Sequence, residues 1–324
     1  ISAEWGAQRV KGLSISAVIK DMCSKILPKS KNRQVETSLI EEFIYPKFGP
    51  GQLWETVAAE IEAKGGRLLK NCQVTSLTRK DNRISGVVYE HDGKPMEIEG
   101  DFVISSMPIK DLVAGLGDAV PDTIQRVASG LPYRDFVTVG LLVNKLNLEN
   151  KTAIPTLGNI VPDCWIYVQD TGVKLGRIQI FNNWSPYLVK DPEHTVWIGL
   201  EYFCEEGDDF WRMPEEDCVA FAIKELISMG ILTQAEDVLD SHRERILKAY
   251  PAYFDTYAQI DELRDYLDGI ENLYCVGRNG QHRYNNMDHS MATSFEAVRC
   301  ILTGDSSRQN LWNVNTEKAY HEEK

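Results

Sequence analysis

Several marks of large enzyme classes are missing from this sequence. Its seven cysteines, Cys23, Cys72, Cys164, Cys204, Cys218, Cys275 and Cys300, are scattered, odd in number and free of any CxxC pair. A disulfide framework is therefore not expected, and a reducing cytoplasm suits the pattern better. The six histidines form neither HExxH nor any other metal-ligand spacing, and GxSxG is absent. That sets aside zinc hydrolases and serine esterases. No apolar run reaches the ~18 residues that span a bilayer, and no signal-peptide pattern opens the chain. Positive charge is also scarce: the formal net charge is -13, which would repel phosphates, so nonspecific nucleic-acid binding is not expected. One local exception is the run Lys20, Lys25, Lys29, Lys31 and Arg33. It reads either as a solvated loop or as a contact for a membrane surface or anionic ligand.

What remains is an ordinary globular chain of 324 residues, 43% hydrophobic and 26% charged, long enough for two domains. It begins with Ile1 and enters helix-like sequence at once, so a fragment of a longer protein is expected. Residues 1–26 read as an amphipathic helix. Gly49-Pro50-Gly51 marks a turn, and Leu53, Val57, Ala58 and Ile61 give a short helix over 52–64, stopped by Gly65 and Gly66. A meander follows: 71–78, 84–89 and 96–98, with turns at Asp81-Asn82 and Asp92-Gly93. Phe102–Ile104 reads as a short buried strand before Ser105-Ser106-Met107-Pro108, and 109–130 as helical pieces. Further strands are expected at 136–143, 165–168, 177–181, 195–203, 246–249 and 273–276. Helices are expected at 214–229, 261–267 and 288–302, the last with Met291, Phe295, Val298 and Leu302 on one face.

The segment richest in chemistry runs from Leu273 to Met291: a short apolar strand, Gly277, a polar loop, then a helix start. A helix start offers unpaired N–H groups and a partial positive charge. It suits an anion or an electron-rich ring edge. Gly277 and Gly280 would let backbone approach a flat ring closely. Arg278 could add a fixed charge, and Asp288 or Ser290 could cap the helix. An ordinary strand-to-helix connection has the same general form.

The wording Gly277-Arg278-x-Gly280-x-x-x-Tyr284, followed by Met287-Asp288-His289-Ser290-Met291, resembles the C-terminal FAD-binding segment of the amine-oxidase and protoporphyrinogen-oxidase superfamily. It is especially similar to the version in UDP-galactopyranose mutases. Tyr45 to Trp54, Gly65-Gly66, Asn71 to Val74, Asp101 to Pro108 and Ala3 to Arg9 follow the same family order. The resemblance implies an α/β fold with α+β character: part of an FAD-binding domain of the amine-oxidase type plus a mixed-sheet substrate domain. It divides the chain into a helical segment of the substrate side (1–50), an adenine-side FAD-binding part with the meander (51–108), a substrate domain (109–270), a C-terminal FAD-binding segment (271–304) and a tail (305–324). It implies cofactor contacts at Val74, Gly277, Arg278, Gly280, Met287, Asp288, His289, Ser290 and Met291. The family's GxGxxG phosphate grip is absent. FAD is thus expected in the full-length protein and weakly or not at all in this chain alone.

For the substrate, Tyr133, Arg134, Arg177, Trp184 and Tyr284 are the candidates, alongside Trp165, Tyr167, Asn182, Tyr202 and Tyr253. Arginine suits a carboxylate or phosphate, although surface salt bridges use it as often. No residue declares itself as an acid or base. Three functions stay open: a flavin oxidoreductase oxidising a small organic substrate, a sugar-nucleotide mutase using reduced flavin with a diphosphate gripped by Arg177 and Arg278, and a noncatalytic binding module.

Overall fold

The computed structural model describes residues 44–314 and two two-residue strands, Val35–Glu36 and His321–Glu322, which pair antiparallel. The helix read at 1–26, the Ala3 to Arg9 stretch and the basic run from Lys20 to Arg33 lie outside the described residues. In chain order the main elements are α1 (Pro50–Ala63), β1 (Gln73–Lys80), β2 (Arg83–His91), β3 (Lys94–Glu99), β4 (Val103–Ser105), α2 (Ile109–Leu116) and α3 (Asp122–Ser129). Next come β5 (Tyr133–Val143), β6 (Trp165–Tyr167), β7 (Arg177–Ile180), β8 (Val196–Cys204), α4 (Glu215–Ser228) and β9 (Val238–Pro251). The chain ends with α5 (Ile260–Asp268), β10 (Leu273–Cys275) and α6 (Met287–Thr303), followed by a short helical turn at Gln309–Asn313.

These elements form two compact units. One holds Leu69–Tyr133 and the chain from Tyr250 onward; the other holds Ile44–Leu68 and Arg134–Ala249. The division differs from the sequence grouping, which placed all of 109–270 in one substrate domain. The reason is packing: Leu112 of α2, Val127 of α3 and Leu263 of α5 share one buried core with Leu77 and Ile84 of the meander.

In the first unit β1, β2 and β3 form an antiparallel meander. Asp92 (φ 51°) and Gly93 (φ 72°) join β2 to β3, the pair of positive φ angles that matches strand twist in a two-residue hairpin. β4 and β10 pair in parallel, Val103 with Leu273, Ile104 with Tyr274 and Ser105 with Cys275. Asn272, just before β10, fastens this pair to the meander. Its buried amide accepts from Ile84 N–H (2.8 Å) and donates to the carbonyls of Ile84 (2.8 Å) and Asp101 (3.0 Å).

The second unit is built on a five-stranded sheet in the order β9-β5-β8-β7-β6. The pairings β5–β8, β8–β7 and β7–β6 are antiparallel. Val137, Val139 and Leu141 alternate inward on β5 and meet Ile178, Ile198, Leu200 and the Cys218, Ala222 and Leu226 stripe of α4. β9 is far longer than the 246–249 expected. It is one of the sheet's two edge strands, and Asp240, His242 and Glu244 interrupt its apolar pattern, as charged residues do on edges open to water. α1 ends as its glycines require: Gly65 (φ 88°) donates to Glu62 O and Gly66 N–H to Ile61 O, a Schellman closure.

Replacing Asn272 by alanine strands one buried N–H and two carbonyls, so Asn272→Ala is expected to cost about 3 kcal/mol of unfolding free energy. Urea titration of the two proteins measures this; a loss below about 0.5 kcal/mol would contradict the role given to the amide.

Candidate functional site

The chain leaves β10 at its carboxyl end and turns sharply. Val276 N–H donates to Ser105 O (2.9 Å), which carries the parallel pairing one residue further. Gly277 then adopts φ 74°, a conformation that disfavours any side chain. Its N–H donates to Thr293 Oγ1 of α6 (2.9 Å), which ties the turn to that helix. Gly280 is glycine for a second reason. A Cβ there would lie 2.6 Å from Ser105 O, so the close approach of the end of β4 by itself requires a glycine.

Between and after these glycines the loop is tied down residue by residue. Arg278 Nε donates to Asn285 O (2.9 Å), and its guanidinium lies 4.9 Å from the Tyr284 ring and 5.3 Å from the Tyr250 ring. These two tyrosines stack at 6.2 Å. Tyr284 N–H donates to the Tyr253 hydroxyl. Gln281 Nε2 donates to Cys275 O (3.2 Å) and Leu311 O (3.0 Å). His282 is fully buried, edge-on to the Tyr133 ring at 4.7 Å, and bonded through Nε2 to Ala252 O (3.0 Å). Since a carbonyl can only accept, Nε2 carries the proton and Nδ1 is an acceptor. Burial pushes the His282 pKa down to about 4; the Ala252 bond opposes this and the Lys110 charge adds to it.

The start of α6 is capped by Asn286, not by Asp288 or Ser290. The Asn286 side chain accepts from the His289 N–H while His289 Nδ1 accepts from Asn286 N–H (3.3 Å), a reciprocal capping box. Asn286, Met287 and Asp288 are exposed. The helix start therefore opens on solvent, with nothing of the described core plugging it. Asp288 adds a carboxylate in the first turn, 3.1 Å from His289 Nδ1, which offsets part of the positive helix end. Ser290 Oγ donates to Asn286 O (3.1 Å), and Met291 is half-buried. Val74, half-buried on β1, borders a register shift between Val74 and Ser76.

Whether these residues suit a flavin can be tested on their unused polar atoms. Ser105 Oγ, Asn279 Oδ1, Gln281 Oε1 and His282 Nδ1 are buried and have no hydrogen-bond partner among the described residues. Each such atom costs about 1–3 kcal/mol unless a ligand or water meets it. All four belong to the chain at or just beyond the carboxyl ends of β4 and β10, where open parallel sheets bind their ligands. Three acceptors and a hydroxyl suit a flat ring edge that carries both N–H and carbonyl groups. The residues fit a flavin.

In the second unit, Arg177 does not offer a free guanidinium. Nε (2.9 Å) and Nη2 both donate to Glu201, which also accepts from Gln179 Nε2 (2.6 Å) and is buried. The sheet register dictates this, because Tyr167, Arg177 and Glu201 are direct neighbours across β6, β7 and β8. Glu201 was not singled out from the sequence; its signal is one acid at an otherwise apolar strand position. Trp184 stacks between Tyr45 (5.2 Å) and Trp165 (5.1 Å). Arg134 is exposed. Two residues named from sequence are structural: Tyr202 is a core ring packed on Phe210 at 4.8 Å, and Asn182 ties Thr195 O (2.9 Å) to Trp197 N–H (3.0 Å). Ser105, Asn279, Gln281, Tyr250 and the buried His282 are the site residues that sequence reasoning missed or underweighted.

No family model matches the sequence, and no curated protein does either. Solved structures do. Reduced UDP-galactopyranose mutase superposes with a TM-score of 0.67 at 20% identity, over 83% of this chain and 54% of that one. The fold is that of the FAD-dependent amine-oxidase-like proteins. A candidate protoporphyrinogen oxidase from Exiguobacterium superposes on the same amine-oxidase-like fold with a TM-score of 0.54 at 14% identity, over 74% of this chain and 48% of that one. The chain thus spans about half the length of these structures. Among the described residues no helix of this fold is long and apolar enough to cross a membrane, and no cluster of side chains could hold a metal ion.

His282 gives this amine-oxidase-like fold a measurable acid sensitivity. A histidine held near 4 binds its proton more readily when unfolded, where the value is 6.5. Its contribution is complete above the unfolded value and is lost as pH falls toward the folded one. His282→Gln keeps a donor for Ala252 O and removes the titration. From pH 7 to pH 4 the natural protein is expected to lose more unfolding free energy than this variant, by on the order of 3 kcal/mol. Parallel pH dependences in urea would contradict the buried neutral imidazole.

Proposed function

We propose that this protein is a flavin-dependent oxidoreductase and that Ser105, with the loop from Gly277 to Met291, makes the face of its cofactor site that meets the flavin ring. The observation that carries the proposal is the set of four buried polar atoms, Ser105 Oγ, Asn279 Oδ1, Gln281 Oε1 and His282 Nδ1, left without partners at the ends of two parallel strands. When bound, the flavin would supply the redox chemistry by accepting a hydride from a C–H bond of a small organic substrate, whose adjacent C–N or C–C single bond becomes double as a proton leaves. The protein's own residues hold and orient. The capping box fixes the α6 start, Gly277 sets the turn, and Tyr250 and Tyr284 keep the Arg278 charge in one place.

A second reading, mutation of a sugar nucleotide on reduced flavin, is supported by the likeness to UDP-galactopyranose mutase. Its arginine pair loses one member, since Arg177 is neutralised by Glu201. That weighs toward the oxidoreductase. Arg278 serves either reading, as the positive group that faces an anionic substrate or cofactor edge.

The test uses the protein encoded by the complete reading frame, purified from cells and assayed for flavin content. One assay follows flavin bleaching by candidate amines and other small substrates with an added electron acceptor. The other follows interconversion of UDP-galactopyranose and UDP-galactofuranose under reductant. Flavin is expected to copurify, with turnover in the first assay. Arg278→Ala is expected to lower kcat/KM roughly 100-fold, the loss of one charge-assisted contact, and flavin content on the same samples tells a lost cofactor contact from a lost substrate contact. Turnover only in the second assay would establish the mutase reading. Complete absence of flavin would refute both and leave a binding module.

A further inference from the structure

We infer that Gln281 accepts the ring N–H of the oxidised flavin through Oε1, and that the C-terminal turn after Arg308 is a strap that holds the amide in that orientation, with Arg283 as a positioning residue. The inference rests on the flavin reading given above and assigns one contact within it.

The first observation is which way round the amide lies. Gln281 is 2% exposed. Its side-chain nitrogen meets two main-chain carbonyls, Cys275 O at 3.2 Å and Leu311 O at 3.0 Å. A carbonyl only accepts, so the end of the amide that touches both is the NH2 group, and both of its protons are engaged. Turning the amide over would set its oxygen against two others. Oε1 is therefore the free end, buried and without a partner among the described residues. Ser105 Oγ can donate or accept, whereas Gln281 Oε1 can only accept, so it selects a ligand group that donates. The oxidised flavin ring carries a single N–H, the imide at N3.

The second observation is what holds Leu311 O in place. Leu311 and Trp312 are buried in the core of the first unit. Arg308, at the head of the turn, donates to the carbonyls of Asp268 (2.6 Å), Ile270 (3.0 Å) and Glu271 (2.8 Å). Trp312 Nε1 donates to Asp268 Oδ1 (2.9 Å). From the loop side, Arg283 Nη1 donates to Trp312 O (2.6 Å) and Val314 O (3.3 Å). The successive carbonyls of Leu311 and Trp312 are thus taken by two side chains of the same loop, Gln281 and Arg283. The turn is gripped at both sides, by the end of α5 and the approach to β10 and by the loop itself. A guanidinium bonded to main-chain carbonyls is a fixed brace, and a side chain locked by its neighbours is what a binding contact requires.

The test uses the protein encoded by the complete reading frame, stripped of flavin and titrated with FAD and with FAD methylated at N3, with flavin fluorescence as the readout. The natural protein is expected to bind FAD on the order of 100-fold more tightly than the methylated form, since methylation removes the donor and leaves a buried acceptor unmet. Gln281→Met, of similar length and without the amide, is expected to lower that ratio about tenfold. Arg283→Met is expected to lower it about threefold, and Arg283→Lys, which keeps a donor, to restore it. A merely structural role weakens both flavins alike and leaves the ratio unchanged. That result for Gln281→Met would overturn the contact, and for Arg283→Met the strap. Equal affinity of the natural protein for the two flavins overturns the contact without any variant. Binding of neither flavin would overturn it together with the flavin reading, whereas tight FAD binding without discrimination overturns it alone.

Discussion

Three residue pairs hold the site together. Val103, Ile104 and Ser105 run parallel to Leu273, Tyr274 and Cys275, joining segments separated in sequence by the whole Arg134–Ala249 part of the second unit. Parallel pairing of distant strands carries a loop-closure cost that local contacts do not. Here it is reinforced from the side by Asn272, whose amide closes on both backbone groups of Ile84. Further support comes from Arg308, which donates to the carbonyls of Asp268, Ile270 and Glu271 and lies 4.6 Å from the Tyr274 ring. Remove the pairing and neither Ser105 nor the loop after Val276 has a defined place.

From that pairing the loop follows almost without choice. Gly280 packs where only a glycine lets Ser105 O approach, and Gly277 turns with a φ that glycine tolerates. His282 and Tyr284 are then bonded back to Ala252 and Tyr253 at the end of β9. The result is a tightly bonded connection that leaves four buried polar atoms without a partner among the described residues. Rigid elements and locked side chains are what a cofactor site requires. The free energy of leaving those atoms unmet is a reason to expect a ligand there.

Local signals were the legible ones. Gly65-Gly66, Asp92-Gly93 and the alternation of β5 announce a helix end, a hairpin and a half-buried strand through backbone conformation or period two alone. The loop at Gly277 could be picked out, but not that Gly280 makes room for the end of β4 or that Gly277 turns with its N–H bonded to α6. Asn286 takes the cap because α6 starts one residue before the expected Asp288, a shift too small for periodicity to resolve. Arg177 was read as a ligand-binding charge because its partner Glu201, 24 residues on, meets it only through the register of the next strand, which no sequence pattern states. α6 shows the largest gap: its apolar stripe is evident in the sequence, yet the described core takes the opposite, small-residue side.

The central claim is that the loop beginning at Gly277 and the end of β4 face a flavin. Hydrogen–deuterium exchange on the complete protein, with and without FAD, tests it most directly. Cofactor-dependent slowing is expected at Ser105-Ser106 and across Gly277 to Met291. Unchanged exchange in both stretches, with slowing confined to other parts of the protein, would contradict it.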